Sequence, residues 1–362
     1  MMESMTAPSL VKTRFLIISD THGMEFGKEE RFSHNVDVAI HCGDLTEESK
    51  LEEYRAALRL LMDIQAPLKL VIAGNHDFTM DAPAFSQIVA RAWPPLEPEL
   101  VRKIYGDYGE ARQLFEDARS AGIIFLDEGN HQFVLENGGT LSVYASPYTP
   151  SVGNWGFQYH PSQGHDFEIL KGVDLVISHG PPRGIMDYTE SKQRAGCSDL
   201  FEAIARARPR LHCFGHIHEG WGAKMVTWRK RLTEKPSHFT DIDNDMSTII
   251  EKLSGFKHSK FDTPQSKEEK SRKEQYHRQQ RCYATTHCTG DMIPLEYGAQ
   301  TLFINAAIQG TEESPLQLPW LVDIDLPKAR LSVVNQERLH HPPHISHQES
   351  TANSNSFADQ QF

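Results

Sequence analysis

Arg14-Phe15-Leu16-Ile17-Ile18-Ser19-Asp20-Thr21-His22 runs from an apolar stretch straight into a carboxylate and an imidazole. A near-continuous apolar run of strand length suits a strand covered on both faces. The same punctuation recurs down the chain. Later strand-like runs end in Gly43-Asp44, Gly74-Asn75-His76-Asp77, Ser178-His179-Gly180 and Gly215-His216-Ile217-His218. Ligands of open α/β sheets gather beyond the carboxyl ends of strands, and these polar clusters sit at those ends. Carboxylate, amide and imidazole together are the donor set that holds two divalent metals side by side, so the pattern argues for a dinuclear metal hydrolase. A lone Asp-x-His reads as a turn; five such ends in one chain do not.

The apolar runs are Phe15–Ser19, Val36–His41, Leu68–Ala73, Ile123–Leu126, Leu141–Ala145, Val173–Ser178 and Leu211–Phe214. Between them lie amphipathic helix candidates. Glu48–Ile64 carries Leu51, Tyr54, Leu58, Leu61 and Met62 on one stripe, and Leu200–Ala207 has Ser198 or Asp199 as its N-cap. The expected fold is α/β, two mixed β-sheets packed as a sandwich and flanked by helices. The main part spans 14–228, behind an N-terminal tail over 1–13. From 229 to 298 the composition turns polar, and Lys257–Arg281 is locally basic, which predicts a largely flexible insertion. Strand character returns at Thr301–Asn305 and Trp320–Leu326, so 299–335 supplies closing strands of the same domain. The His-, Ser-, Asn- and Gln-rich stretch 336–362 predicts a disordered tail.

The 362 residues suffice for a large buried core, and five scattered cysteines imply reduced thiols rather than a disulfide framework. The start of the chain lacks a basic segment followed by an apolar core, and no apolar run is long enough to cross a membrane. The expectation is a soluble, intracellular, cytoplasmic protein without a membrane partner. A formal net charge of -12 makes long nucleic acid a disfavoured partner.

The series Asp20-Thr21-His22, Gly43-Asp44-Leu45, Gly74-Asn75-His76-Asp77, Ser178-His179-Gly180 and Gly215-His216-Ile217-His218 resembles the calcineurin-like metallophosphoesterases. The longer words His41 to Thr46, Ser178 to Gly184 and Phe214 to Gly220 resemble the metallophosphoesterase-domain-containing branch, which is similar to class III cyclic-nucleotide phosphodiesterases. The resemblance implies that Asp20, His22 and His218 hold one metal, that Asn75, His179 and His216 hold a second, and that Asp44 bridges both. His76 would then face the phosphoryl group, stabilising charge or protonating the leaving oxygen, with Asp77 orienting its other ring nitrogen. The mixed oxygen and nitrogen shell favours manganese, with iron or zinc as alternatives, over calcium. The implied partner is a small phosphoester substrate, a diester such as a cyclic nucleotide or another small diester, cleaved by a hydroxide bridging the two ions. A phosphomonoesterase or protein phosphatase, and a metal-binding scaffold of negligible activity, stay open beside it.

Other candidates carry less. Arg183, Tyr148, Trp155 and Phe157 have plausible substrate roles but read equally well as surface or loop packing. His41 and Cys42 read as strand residues that at most support the ligands. His277, Cys282, His287 and Cys288 match no zinc spacing.

Overall fold

In a computed structural model, residues 9–27, 32, 34–311 and 314–329 are described. The expected tail 336–362 lies outside them. Two sheets face each other. The first runs Tyr283–Thr286, Trp320–Pro327, Leu10–Ile18, Val38–His41, Leu68–Val71, Ile123–Phe125; the second runs Ile242–Lys252, Gly222–Trp228, Gln300–Asn305, Leu211–Phe214, Leu175–Ser178, Thr140–Ser146, Gly129–Val134. The four strands beginning at Leu10, Val38, Leu68 and Ile123 are parallel to one another, as are those beginning at Thr140, Leu175, Leu211 and Gln300. Both sheets therefore present a block of carboxyl ends.

The unbroken apolar runs follow from burial on both faces. In the first strand Phe15 and Ile17 point into the core between the sheets, where they meet Val143, Leu175, Leu211 and Ile304. Leu16 and Ile18 point outward, into a second cluster with Tyr54, Leu58, Leu61 and Phe115. On the far side Val176, Phe214 and Phe303 pack beneath Leu200, Phe201 and Ile204 of the helix Ser198–Ala207. Helix, sheet, sheet and helix form four layers, as the pattern of runs predicts.

Several boundaries differ from the sequence reading, each for a local reason. The first strand starts at Leu10 rather than after residue 13, because Leu10 to Thr13 pair with Ile324 to Pro327. The first long helix starts at Leu51, behind a capping box in which the Glu53 carboxylate accepts the Lys50 N–H at 2.9 Å. Its buried stripe is completed by Ala57, while Met62 is half exposed. The helix after Gly196 is capped by Cys197, whose sulfur accepts from the Leu200 N–H at 3.2 Å, instead of by Ser198 or Asp199.

The segment 229–298 departs most from expectation. Ile242–Lys252 pairs antiparallel with Gly222–Trp228, Tyr283–Thr286 pairs parallel with Trp320–Pro327, and a helix spans Pro264–Gln280. Both strands are sheet edges with one exposed face, and the helix buries no residue, so polar composition is compatible with regular structure here. Tyr283 and Phe256 from this segment pack on Trp320 and Trp221, which stack on each other at 4.9 Å. The expectation of a largely flexible insertion is corrected accordingly. Among the described residues no helix is long and apolar enough to cross a membrane.

Candidate metal centre

The backbone at the strand ends is unusual before any side chain is considered. Asp20, His22, Asp44 and His216 all adopt positive φ, at 52°, 45°, 51° and 66°. Non-glycine residues enter this left-handed region at a cost, and they concentrate at functional sites. The loops are zipped together: the Asp20 N–H donates to the Gly43 carbonyl at 2.9 Å, and His22 N–H to the Asp44 carbonyl at 3.1 Å. Two glycines permit the approach. A Cβ on Gly74 would stand 2.2 Å from an Asp44 carboxylate oxygen, and one on Gly215 would stand 1.9 Å from an Asp20 oxygen.

These loops bring six of the expected ligands into two groups. Asp20, His22 and His218 offer atoms all within 4.8 Å of one another, and so do Asp44, His179 and His216. The seventh, Asn75, joins the second group, its Oδ1 lying 3.0 Å from His179 Nε2. Asp44 lies between the groups: its Oδ2 is 3.2 Å from His179 Nε2 and 3.9 Å from His22 Nε2. Each group draws on both sheets, because Asp20, His22, Asp44 and Asn75 follow strands of the first while His179, His216 and His218 follow strands of the second.

Two observations fit a cation here. His179 Nδ1 lies 2.9 Å from the Cys42 carbonyl, which can only accept, so Nδ1 carries a hydrogen and Nε2 is the nitrogen aimed at the oxygens of Asn75 and Asp44. A nitrogen and two oxygens converging in a buried place call for a positive charge among them, a proton on Nε2 in the protein alone or a metal ion in its stead. The His22 ring nitrogens are buried, yet neither has a hydrogen-bond partner, as metal-ligating nitrogens would be arranged. Its Nδ1 lies only 2.9 Å from Glu47 Oε2, close enough for charge attraction but without hydrogen-bond alignment.

Electrostatics agree. Burial alone would raise the Asp44 carboxyl, but the surrounding imidazoles, His179 foremost, hold it far below the usual carboxylate range. Asp20 is likewise driven down to about 2, the hydrogen bond from His218 outweighing burial. Burial would lower His179, and the Asp44 carboxylate reverses this to raise it to about 9. Protonated histidines thus do in the protein alone what metal ions would do.

The expected neighbours fall into different places. His76 stands at the rim, its ring 4.7 Å from that of His22 and 4.3 Å from that of Trp155. Its Nδ1 donates to the Glu47 carbonyl at 2.6 Å. Asp77 does not orient His76. Its buried carboxylate accepts from the N–H groups of Leu45, Thr46 and Gly74 and from the Thr46 hydroxyl, at 2.8 to 3.1 Å, and so ties the Asp44 loop to the Asn75 loop. Burial, with Asp44 nearby, raises its pKa to about 7. The sequence reading missed Glu47, which groups with His22 and His76 as a third set able to hold a cation; its signal was its place three residues after Asp44. His41 supports the site as expected: its Nδ1 accepts from the Gly43 N–H and its Nε2 bonds to the Thr21 hydroxyl at 2.9 Å. Arg183 is exposed, and His277, Cys282, His287 and Cys288 form no metal-holding group among the described residues.

Oxygen and imidazole donors at the carboxyl ends of a two-sheet sandwich make residue groups that could hold metal ions. The family model described as calcineurin-like phosphoesterase matches residues 13–220, and the chain belongs to that family. It is 33% identical over 221 residues to metallophosphoesterase domain-containing protein 1 of Homo sapiens, and equally to that of Mus musculus, covering 58% of this chain and 62% of theirs. It is also 33% identical over 229 residues to a UPF0046 protein of Caenorhabditis elegans, covering 60% of this chain and 54% of the relative. The chain thus spans between half and two thirds of the length of these relatives.

Proposed function

We propose that this protein is a phosphoric ester hydrolase that cleaves phosphodiesters, cyclic nucleotides or other small diesters, at a two-metal centre. The observation that carries the reading is the pair of three-residue groups with Asp44 between them and His76 at the open rim. Asp20, His22 and His218 would hold one ion and Asn75, His179 and His216 the other, with Asp44 shared. When bound, the ions supply Lewis acidity to the phosphoryl oxygens and lower the pKa of an attacking water. Manganese suits the mixed donor set, as do iron and zinc.

The protein's own groups then have distinct tasks. The Cys42 carbonyl fixes the His179 tautomer so that Nε2 faces the centre. The Glu47 carbonyl holds the Nδ1 hydrogen of His76, which leaves Nε2 as the atom able to carry a proton toward a leaving oxygen. Trp155 packs against that ring and restricts its rotation. Asp77 keeps the two ligand-bearing loops in register without touching the reacting atoms.

Hydrolysis of bis-p-nitrophenyl phosphate and of 2′,3′- and 3′,5′-cyclic nucleotides with added manganese tests the proposal against an Asp44→Asn control. Turnover of a diester well above that control is expected; none would overturn the reading, and a higher specificity constant for p-nitrophenyl phosphate would replace diester by monoester. His76→Ala should lower kcat by about a hundredfold while leaving bound manganese unchanged. Loss of metal in that variant would contradict the role given to His76.

A further inference from the structure

A groove of about 630 Å³ opens beside the metal centre, between one face of the helix Ala82–Arg91 and the loop 153–158. Phe78 and Trp155, the apolar Ala84 and Ile88, and the polar Arg91 and Asn154 are among the residues that line it. The volume lies within the range of small-ligand sites, and the lining combines apolar side chains with polar ones that could orient a ligand, Asp81, Gln87 and Gln158 among them. Ala84, Ile88 and Arg91 share one side of the helix by their spacing of three and four.

The groove is joined to the chemistry through Trp155. One side of that ring system meets His76 at 4.3 Å, its edge meets Phe78 at 6.0 Å, and 42% of the residue is exposed. The loop that carries it is firmly seated. Gly156 N–H donates to the Asn75 carbonyl at 3.0 Å, and Phe157 N–H donates at 2.8 Å to the Asp81 carboxylate, whose other oxygen caps the helix through Ala84 N–H at 3.1 Å. One carboxylate thereby fixes both walls. Gly156 is required for the fit, since a Cβ there would lie 2.6 Å from the Phe78 Cα. An exposed tryptophan held rigidly against the rim histidine, with an apolar trough behind it, is a platform for a flat ring.

We propose that this groove is the subsite for a flat aromatic ester arm of the substrate, lying along Trp155 and the Ala84 and Ile88 wall while the phosphoryl group faces the metal ligands. The inference rests on the phosphoesterase reading for the position of the phosphoryl group and adds the chemistry of the group attached to it. Arg91 suits the outer edge of such a ring: its Nη1 donates to the neutral Asn154 side-chain oxygen at 3.3 Å, leaving further donors for a carbonyl or ring nitrogen.

Calorimetric binding of 1-naphthyl phosphate and of methyl phosphate to the manganese-loaded protein tests the subsite without requiring turnover. The two probes share the phosphoryl group and differ in the ring. Wild type should bind the naphthyl ester about 10- to 100-fold more tightly, the range that stacking of one ring supplies. Ala84→Phe, which fills the groove, and Ile88→Glu, which charges its wall, should each remove most of that preference and leave methyl phosphate affinity as it was. Binding of 1-naphthyl phosphate should also quench tryptophan fluorescence in wild type and not in Trp155→Phe. Equal affinity for the two probes in wild type, or an unchanged preference in both groove variants, would overturn the subsite. A ring preference lost in the variants, in a protein that hydrolyses no ester, would retain the groove and reject the hydrolase reading.

Discussion

At the scale of the residue, the site depends on which atoms face inward and what holds them so. The convergence of the candidate ligand residues was legible in sequence because each follows an apolar run that has to be a strand, and strand ends in this class of fold converge. The neighbours were not. Nothing in Gly74-Asn75-His76-Asp77 shows that the Asp77 carboxylate turns back toward Leu45, Thr46 and Gly74 while the adjacent imidazole turns toward Glu47; that choice is made by loops meeting across thirty residues. The consequence is testable. Asp77→Ala leaves buried donors without acceptors, each costing about 1–3 kcal/mol, so a stability loss of roughly 3 kcal/mol or more is expected in urea unfolding. A variant as stable as wild type but catalytically dead would restore the orienting role to Asp77.

At the scale of the element, adjacent strands communicate through buried polar bridges. His212, in the strand Leu211–Phe214, places its Nε2 2.8 Å from the Ser178 hydroxyl, which itself donates to the Gly180 carbonyl at 2.7 Å. Ser178 therefore accepts, His212 carries its hydrogen on Nε2, and the turn beyond His179 is braced from the next strand. Burial alone lowers the His212 pKa to about 3. Between about 6.5 and 3 the unfolded chain binds a proton at this residue that the folded chain does not, so its contribution is complete above about 6.5 and is lost as pH falls through that window. His212→Gln keeps a donor for Ser178 without the titration. Stability measured from pH 7 to pH 4 should fall less steeply in this variant, by up to one proton or about 1.4 kcal/mol per pH unit. Identical slopes would refute the assignment.

The same scale explains where the sequence reading of elements stopped. Periodicity and apolar runs register burial, so they found strands covered on both faces and the amphipathic helix Leu51–Asp63. They could not register Ile242–Lys252, an edge strand largely open to solvent, or Pro264–Gln280, a helix with no buried residue. The few residues of this segment that do bury, Phe256 and Tyr283 among them, do so against tryptophans far away in sequence.

At the scale of the whole molecule, each ion would be gripped from both sheets at once. Asp20 and His22 face His218, and Asp44 and Asn75 face His179, across the seam of the sandwich. Binding that requires both sheets stabilises the folded state by mass action, reaching about 4 kcal/mol when free metal is a thousand times its dissociation constant. Manganese should therefore raise the thermal midpoint by several degrees in a concentration-dependent way, chelation should reverse it, and Asp44→Asn should abolish the shift. A midpoint indifferent to manganese in wild type would mean that the two groups do not take up the ion.

The assignment of each ion to ligands from both sheets also sets a chronology for biosynthesis. A ribosome that has made Asp20, His22, Asp44 and Asn75 has produced only fragments of either group, and the first becomes complete only with His218. The nascent chain would carry an acidic, half-built cradle for about 140 residues, from Asn75 to His218, before the first group could close on an ion, so metal uptake there would follow the meeting of the two halves.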